Sequence, residues 1–330
     1  MSGSGFELYA GDGTTLSNRG AKLPLYEKPS SLDDPAHYLA DKGLRDAVNV
    51  AIALGQPLLV TGEPGTGKTQ LAASIAHELE TASPLVFHTK TISTARDLFY
   101  RYDALGHFHD SHFREGKLSV ESYVTYEALG LAILLSMKAE EANAFLPEHL
   151  RDRGPIRTVV LIDEIDKAPR DLPNDVLNEI ENLSFTVKET GRTFSADQTY
   201  RPILVLTSNS EKNLPEAFLR RCVFYHIAFP AQERLKEIVQ RRLGLDSSFS
   251  PQMLDNALNH FDQIRELALK KKPATAELLA WVRILEKMNL DVGDIKPGQY
   301  EALAFTYSIL AKSDEDRETL ARTFAGRAEE

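Results

Sequence analysis

The chain has 330 residues, 42% of them hydrophobic, which is enough for one medium core or two smaller ones and excludes a disordered chain. A formal net charge of −10 argues against bulk binding to nucleic acid, although it allows a local basic patch, for example in a pore. The only cysteine, Cys222, excludes a disulfide framework and a cysteine-based zinc cluster, and it fits a reducing cytoplasm.

Residues 1–31 are predicted to form a flexible arm, because several glycines, Pro24 and Pro29 interrupt any regular pattern. The opening residues lack a basic segment followed by an apolar one, which argues against a signal peptide. The longest apolar stretch, around 129–137, is far shorter than the roughly 18 residues needed to cross a bilayer. We therefore expect a cytoplasmic protein with no membrane span.

The first regular elements lead into a glycine-rich loop. Apolar residues at helical spacing from Leu44 to Leu54 predict an amphipathic helix that ends at Gly55. The apolar run 57–61 predicts a strand. The next residues, 62–69, are Gly-Glu-Pro-Gly-Thr-Gly-Lys-Thr, which fit the pattern of a glycine, four variable positions and Gly-Lys-Ser/Thr.

This loop is followed by a predicted helix, since Leu71, Ile75 and Leu79 recur every four residues. Strand, glycine-rich loop and helix in this order predict a phosphate-binding loop rather than a turn that binds nothing. Its glycines let backbone N–H groups approach phosphate oxygens, Lys68 would reach the β- and γ-phosphates, and Thr69 would place its hydroxyl on Mg²⁺. The residues expected to bind ATP are Gly62, Glu63, Pro64, Gly65, Thr66, Gly67, Lys68 and Thr69.

The connection between the second and third predicted strands is too long for a simple loop. The second strand is predicted at Leu85 to His88, and the third begins near Thr158. A structureless connection of this length is improbable in a compact domain, so residues 91–157 are predicted to be an insertion. Its apolar spacing predicts an amphipathic helix from Tyr123 to Lys138.

The third apolar run, 158–162, ends in two acids, Asp163 and Glu164. Beside a phosphate loop, Asp163 would hold the Mg²⁺ shell together with Thr69, and Glu164 would orient and polarise the water that attacks ATP. Acids also end buried strands merely because the chain emerges into solvent. The upstream loop, in the right order, favours the catalytic interpretation.

Further candidates follow the fourth apolar run, 203–207. Asn209 comes directly after this strand and is placed to share the attacking water with Glu164, or else it caps the turn. Arg220 and Arg221 lie downstream, and an arginine often stabilises γ-phosphate charge in the transition state, in its own chain or in a neighbouring subunit. Surface arginines are the alternative.

A fifth strand is predicted at 223–229, after which strand patterns stop. Near-continuous β-branched runs separated by helical segments predict an α/β domain, residues 32–230, with a central parallel five-stranded sheet covered on both faces. Residues 231–330 are predicted to form a small α-helical lid domain and a C-terminal tail. Helical spacing occurs at 232–243, 251–269, 275–288 and 298–311.

Taken in order, these motifs resemble those of AAA+ ATPases, which are P-loop NTPases. Residues 62–69 resemble Walker A, 161–166 Walker B, 207–209 sensor 1 and 214–221 the arginine-finger region. The MoxR family is the most similar, on the Asp-Glu-Ile-Asp-Lys-Ala-Pro run from Asp163, the Asn-Glu-Ile-Glu-Asn run from Asn178, the Leu-Pro-Glu-Ala stretch and the short helical lid. The resemblance covers about Leu32 to Met288.

The resemblance implies a homo-oligomeric ring, usually a hexamer, with ATP and Mg²⁺ between subunits. Arg221 would be the finger that reaches the neighbour's site, with Arg220 as the supporting or alternative residue. MoxR-type ATPases are remodelling or chaperone-like motors acting on a protein client, and they commonly work with proteins that contain von Willebrand A domains. One position departs from the family: Ala276 stands where a sensor 2 arginine is expected, and Arg283 lies about two helical turns further on.

In MoxR-like proteins the insertion and a hairpin, here predicted near Phe185 to Phe194, face the pore or partners. Aromatic residues of the insertion are therefore candidate contacts, and the alternative is that they pack against their own domain. These residues are Phe99, Tyr100, Tyr102 and Phe108.

Two other functions stay open from the sequence. A DNA-associated AAA+ ATPase, clamp-loader-like or restriction- or defence-associated, is one, because the Arg-Arg-Cys ending of the finger region resembles clamp loaders. Such a protein would show DNA-stimulated hydrolysis and a basic inner surface. The other is a scaffold that binds ATP with little turnover, and the intact Glu164 argues against it.

Overall fold

The structure, a computed structural model, describes residues 34–113, 119–210, 214–244, 249–296 and 298–325. The predicted N-terminal arm, residues 1–31, lies outside the described residues. The described chain divides into two compact units. Tyr38–Ala228 forms the first unit, and the described residues up to His37 join those from Phe229 onward in the second.

The elements of the described chain are as follows. The strands are β1 Leu58–Gly62, β2 Leu85–His88, β3 Tyr100–Tyr102, β4 Val124–Tyr126, β5 Val159–Asp163, β6 Ser184–Val187, β7 Arg192–Ser195, β8 Ile203–Ser208 and β9 Val223–Ile227. The α-helices of the first unit are α1 Lys42–Leu54, α2 Lys68–Glu78, α3 Ala104–Phe113, α4 Ala128–Ser136, α5 Ala139–Ala142, α6 Leu172–Asp175, α7 Leu177–Asn182 and α8 Glu216–Leu219. Those of the second unit are α9 Gln232–Leu243, α10 Pro251–Glu266, α11 Thr275–Met288, α12 Tyr300–Leu310 and α13 Asp314–Leu320.

A five-stranded parallel sheet in the order β2-β5-β8-β1-β9 forms the centre of the first unit. Every residue of the three inner strands is buried, whereas the edge strands β2 and β9 are partly exposed. Apolar runs of this kind form the inner strands of parallel sheets because helices cover both faces. The predicted α/β fold with a central parallel five-stranded sheet is confirmed.

The C-terminal ends of three neighbouring strands meet at one edge of this sheet. Strand β8 lies between β1 and β5. Strand β1 ends at Gly62 and continues through the glycine-rich loop into α2, β5 ends at Asp163, and β8 ends one residue before Asn209. Polar residues that follow parallel strands collect at such an edge, which is where α/β proteins bind ligands.

Helix α1, which precedes β1, has a capping residue at each end and begins two residues before the predicted start, at Lys42. The Asp41 carboxylate accepts the Leu44 N–H at its start, and Gly55 ends it in the left-handed conformation with φ 64°. An aspartate N-cap satisfies one of the first free N–H groups, and glycine adopts positive φ without steric cost. The predicted helix from Leu44 to Leu54 is confirmed.

The insertion contains a helix, but the predicted amphipathic helix from Tyr123 to Lys138 is wrong. The structure has the short strand β4 first, and helix α4 begins only at Ala128. All of α4 except Leu131 is buried, because it packs between the sheet and strand β7. A helix enclosed in this way is apolar on all sides rather than on one. Gly130 lies so close to the Phe99 carbonyl that a side chain there would displace it.

The hairpin predicted near Phe185 to Phe194 is present as β6 and β7, and an aromatic cluster lies beside it. Phe185 stacks on Phe99 at 5.1 Å between ring centroids. Phe99 and Tyr100 of the insertion are both buried, so they pack against their own domain rather than contacting a partner. Phe108 differs, since 63% of it is exposed.

The second unit is helical, as its sequence pattern predicts. Helices α9 and α11 have the predicted limits, and α10 and α12 are shorter than predicted, ending at Glu266 and starting at Tyr300. Its core contains Phe261, Trp281 and Tyr307. No helix within the described ranges is both long and apolar enough to cross a membrane.

Candidate nucleotide-binding site

The loop between β1 and α2 has a backbone that requires glycine. Gly62, Gly65 and Gly67 have φ values of 152°, 77° and 87°. A Cβ added to Gly62 would lie 2.6 Å from the Ile227 carbonyl oxygen. Gly67 is the N-cap of α2, and helix N-termini with adjacent glycine-rich loops bind phosphate groups. The loop therefore fits a phosphate ligand by its backbone shape.

Lys68 supplies the positive charge of this loop. Its Nζ donates to the carbonyl oxygens of Gly62 at 2.8 Å and Glu63 at 2.9 Å, and to Asn209 Oδ1 at 3.2 Å. Only 8% of the residue is exposed. Burial lowers the pKa of the Lys68 ammonium, and the carboxylates of Asp166 and Asp163 oppose that shift. The Lys68 side chain is thus largely buried inside the loop.

The hydroxyl of Thr69 and the carboxylate of Asp163 meet beside the loop. Thr69 Oγ1 donates to Asp163 Oδ1 at 3.0 Å, although the two residues lie on elements separated by β8. The same carboxylate oxygen accepts from Thr207 Oγ1 at 2.6 Å. His88 Nδ1 lies 3.4 Å from the second oxygen, Asp163 Oδ2.

Hydroxyl and carboxylate oxygens are the ligands that Mg²⁺ takes, and it is usually held by one or two protein oxygens with water and phosphate. Thr69 and Asp163 fit that ion by their chemistry and their proximity. Within the described part of the chain there is no cluster of three or more His, Cys, Asp or Glu side chains that could hold a metal. A magnesium site that includes phosphate oxygens needs no such cluster.

Glu164 has an unusual backbone. Its φ and ψ are 57° and 49°, in the left-handed region that few residues with a Cβ adopt. Its N–H donates to Thr207 Oγ1 at 2.9 Å, and its carboxylate forms an ion pair with Lys167. Left-handed residues of this kind are concentrated at functional sites. The Glu164 side chain is 41% exposed, so solvent reaches its carboxylate.

Asn209 lies between the loop and the acidic strand end. Its Oδ1 accepts from Lys68, while its backbone N–H donates to Asp166 Oδ1 at 3.3 Å. The Asp166 carboxylate also opposes the lowering of the pKa of Lys68 by burial. The residues predicted for phosphate, Mg²⁺ and water are therefore brought together at one edge of the sheet.

Arg220 and Arg221 are not part of that group. They precede β9, whose first residue Val223 pairs with Leu58 at the start of β1, whereas the phosphate loop leaves the other end of β1. Since a strand rises about 3.3 Å per residue, the two ends of β1 lie about 13 Å apart. Arg221 donates to Glu181 Oε2 at 3.3 Å and to the Ala217 carbonyl oxygen at 3.1 Å, and Arg220 pairs with Glu216.

Cys222 follows these arginines and behaves as a structural thiol. Burial raises the pKa of the Cys222 thiol to about 12. A raised thiol pKa means less thiolate, which is the form that reacts with alkylating agents. We expect iodoacetamide at about pH 8 to modify the native protein at least about 100-fold more slowly than the unfolded chain, whose thiol has a pKa near 8.5. Equal rates, measured by mass spectrometry, would contradict this.

Two residues of the site had no individual role in the sequence analysis. Thr207 joins Asp163 to the backbone of Glu164, and Asp166 holds Asn209. Thr207 is only weakly indicated by the sequence: it and Ser208 are the two polar residues at the end of a strand that is otherwise apolar. Asp166 lies in the acidic run after β5. An aspartate is common at such a position merely because the chain emerges into solvent, so the sequence gives no sign of its role.

A family model described as an AAA domain of the dynein-related subfamily matches residues 57–222. Among solved structures, a variant of Thermotoga maritima RuvB is 17% identical with a TM-score of 0.41, covering 83% of this chain and 70% of that one. A katanin structure on self-assembly is 14% identical with a TM-score of 0.38, covering 88% of this chain and 84% of that one. No curated protein matches the chain.

The family model spans half of the 330 residues. Its range contains the phosphate loop, the acidic end of β5 and Asn209 after β8. The sheet that holds these residues is the parallel five-stranded sheet described above. This chain therefore belongs to the AAA family, in its dynein-related subfamily, among the AAA+ ATPases.

Proposed function

We propose that this protein is an ATP-hydrolysing AAA+ motor of the MoxR type, which works as a ring on a protein client. The observation that carries this proposal is the convergence of Lys68, Thr69, Asp163, Glu164 and Asn209 on one edge of the sheet. Each has the chemistry that γ-phosphate hydrolysis requires. Family membership supports ATP as the nucleotide.

The reaction is an in-line attack of water on the γ-phosphorus, with cleavage of its bond to the bridging oxygen of ADP. The loop backbone and Lys68 bind the phosphate oxygens and keep them in place. Thr69 and Asp163 would hold Mg²⁺, which offsets charge on those oxygens. Asn209, fixed by Asp166, orients the attacking water.

Glu164 accepts a hydrogen bond from that water and takes up its proton as the oxygen attacks. In this structure its carboxylate pairs with Lys167, a residue at the same surface. The carboxylate is half-exposed, so exchange of Lys167 for water requires only a side-chain rotation. The left-handed backbone of Glu164 sets the direction in which its side chain leaves the main chain.

The position of Arg221 supports a site shared between subunits. It lies at the edge of the sheet opposite its own phosphate loop. The distance between these two edges is too large for the Arg221 side chain to span. In a head-to-tail ring, the same surface meets the loop of the next copy. A hexamer and a partner with a von Willebrand A domain are proposals from the MoxR resemblance, as are the protein client and the cytoplasmic location.

The proposal predicts that phosphate release per subunit rises with protein concentration. A lone subunit lacks a neighbour's Arg221, so its site is incomplete until the ring forms. We expect at least about a tenfold increase in turnover across the assembly midpoint, since an arginine in this role contributes about 10³-fold or more. Phosphate release and light scattering, measured on the same samples, test this.

Glu164→Gln serves as the control for contaminating phosphatases. The amide has nearly the same shape as the carboxylate, but it is uncharged and cannot act as the general base. Constant turnover per subunit from well below to well above the assembly midpoint would contradict the shared site. Turnover that needs added duplex DNA would favour the DNA-associated alternative. Tight ATP binding without phosphate release would favour a scaffold.

A further inference from the structure

Thr207 makes two hydrogen bonds that join the two acids at the end of β5. Its side chain lies at the C-terminal end of β8, and only 1% of the residue is exposed. Its hydroxyl donates to Asp163 Oδ1 at 2.6 Å and accepts from the backbone N–H of Glu164 at 2.9 Å. One orientation of a single O–H group satisfies both partners, since a hydroxyl is donor and acceptor at once.

We propose that Thr207 is a positioning residue for hydrolysis, which sets the direction of the Glu164 carboxylate through the backbone of that residue. The inference rests on the proposed ATPase function and adds a residue to it. Thr207 itself touches neither ATP nor the attacking water in this role. It acts on Glu164 by holding the backbone in place, and on Asp163 by holding one carboxylate oxygen.

The need for such a contact follows from the backbone of Glu164. A left-handed residue with a Cβ is disfavoured, and it persists only where its surroundings hold it. The Thr207 hydroxyl supplies that restraint at the first N–H after the strand. Without the hydroxyl, that N–H loses its partner, and relaxation of the backbone turns the carboxylate away from its direction in this structure.

The same contact links the general base to the phosphate loop. Asp163 Oδ1 accepts from both Thr207 and Thr69, so one carboxylate oxygen connects β8 with the start of α2. A shift of Asp163 is therefore opposed by Thr69 when Thr207 is changed. For this reason we expect the loss of Thr207 to affect turnover more than nucleotide binding.

The test is Thr207→Val, which replaces the hydroxyl with a methyl group of similar size. We expect kcat to fall at least about tenfold, because a misplaced catalytic group loses transition-state stabilisation, while KM and ATP affinity stay within about threefold of wild type. Thr207→Ser keeps the hydroxyl and should stay within about threefold of the wild-type kcat. A structural role alone does not produce this split between kcat and KM.

Thr158→Val is the matched control. Thr158 is equally buried, lies just before β5 at the far end of the sheet, and its hydroxyl has no hydrogen-bond partner among the described residues. Thr158→Val makes the same change in side-chain size as Thr207→Val, at a position that is equally buried. Because Thr158 lies at the other end of the sheet from the site, turnover should be unchanged. If Thr207→Val does not fold, Thr207→Ala takes its place under the same criteria.

A second measurement separates positioning from general damage. In the Glu164→Gln background, Thr207→Val should lower the residual turnover by less than about twofold, since both changes affect the same step. If Thr207→Val turns over ATP at the wild-type rate, or if Thr207→Ser loses as much turnover as Thr207→Val, the inference alone is overturned, provided that wild type hydrolyses ATP and Glu164→Gln slows it at least about 100-fold. A wild-type protein without hydrolysis would overturn the proposed function as well.

Discussion

Lys68→Ala is expected to weaken ATP binding at least about 100-fold, because the variant loses charge-assisted hydrogen bonds to phosphate worth about 1.5–3 kcal/mol each. Each 1.4 kcal/mol is about a factor of ten in affinity. Lys68 is buried in the loop beside Gly62 and Glu63, and the rest of the loop side chains carry no positive charge. Equilibrium binding of a fluorescent ATP analogue measures this loss.

Glu164→Gln is the matched opposite of that variant. The amide keeps the shape of the carboxylate but cannot take a proton, so ATP affinity should stay within about threefold while kcat falls at least about 100-fold. Lys42→Ala controls for the loss of a lysine, since Lys42 is exposed on α1 and pairs only with Asp46 among the described residues. Comparable ATP affinity in wild type and Lys68→Ala would remove Lys68 from the site.

Mixing Arg221→Ala with Glu164→Gln is expected to restore hydrolysis that neither protein has alone. In a head-to-tail ring, an Arg221→Ala subunit keeps a sound Glu164, and a Glu164→Gln neighbour supplies a sound Arg221. Random mixing in equal amounts makes about a quarter of the interfaces sound, so turnover should approach about a quarter of wild type. The placement of Arg221 at the opposite edge of the sheet is the reason for this expectation.

The control mixture combines Glu164→Gln with Lys68→Ala. Both changes lie in the same site of one subunit, so each site that keeps Glu164 lacks Lys68 and the mixture stays inactive. Subunit exchange and ATP binding by Arg221→Ala are measured separately. If exchange occurs and no activity returns, Arg221 acts in its own subunit or only supports the fold, and the same mixing test is then applied to Arg220→Ala.

The sequence predicts those parts of the site whose functional residues stand at fixed spacing within one short segment. The phosphate loop from Gly62 to Thr69 needs its glycines and its lysine at fixed spacing, and Asp163 and Glu164 directly follow an apolar strand. The bond between Thr207 and Asp163 is different, because it depends on β8 pairing with β5 in one particular register. Neighbouring strands and their register are set by packing across the whole sheet.

The insertion shows a second limit of sequence patterns. A helix with one apolar face and a fully enclosed helix both show apolar residues at helical spacing, so periodicity did not separate the two. Helix α4 belongs to the enclosed kind, because strand β7 covers the side that a surface helix would expose. Short strands such as β4, only three residues long, give no pattern of their own.

Burial of the charged Lys68 side chain lowers the free energy of unfolding of the protein without nucleotide. Burial makes the pKa of Lys68 lower in the folded chain than in the unfolded one, so below the ordinary pKa of a lysine the charged group opposes folding. A polyphosphate bound beside it reverses that sign, since opposite charge favours the ammonium. Lys68 is therefore a residue whose charge lowers the stability of the folded chain and, in the proposed function, serves nucleotide binding instead.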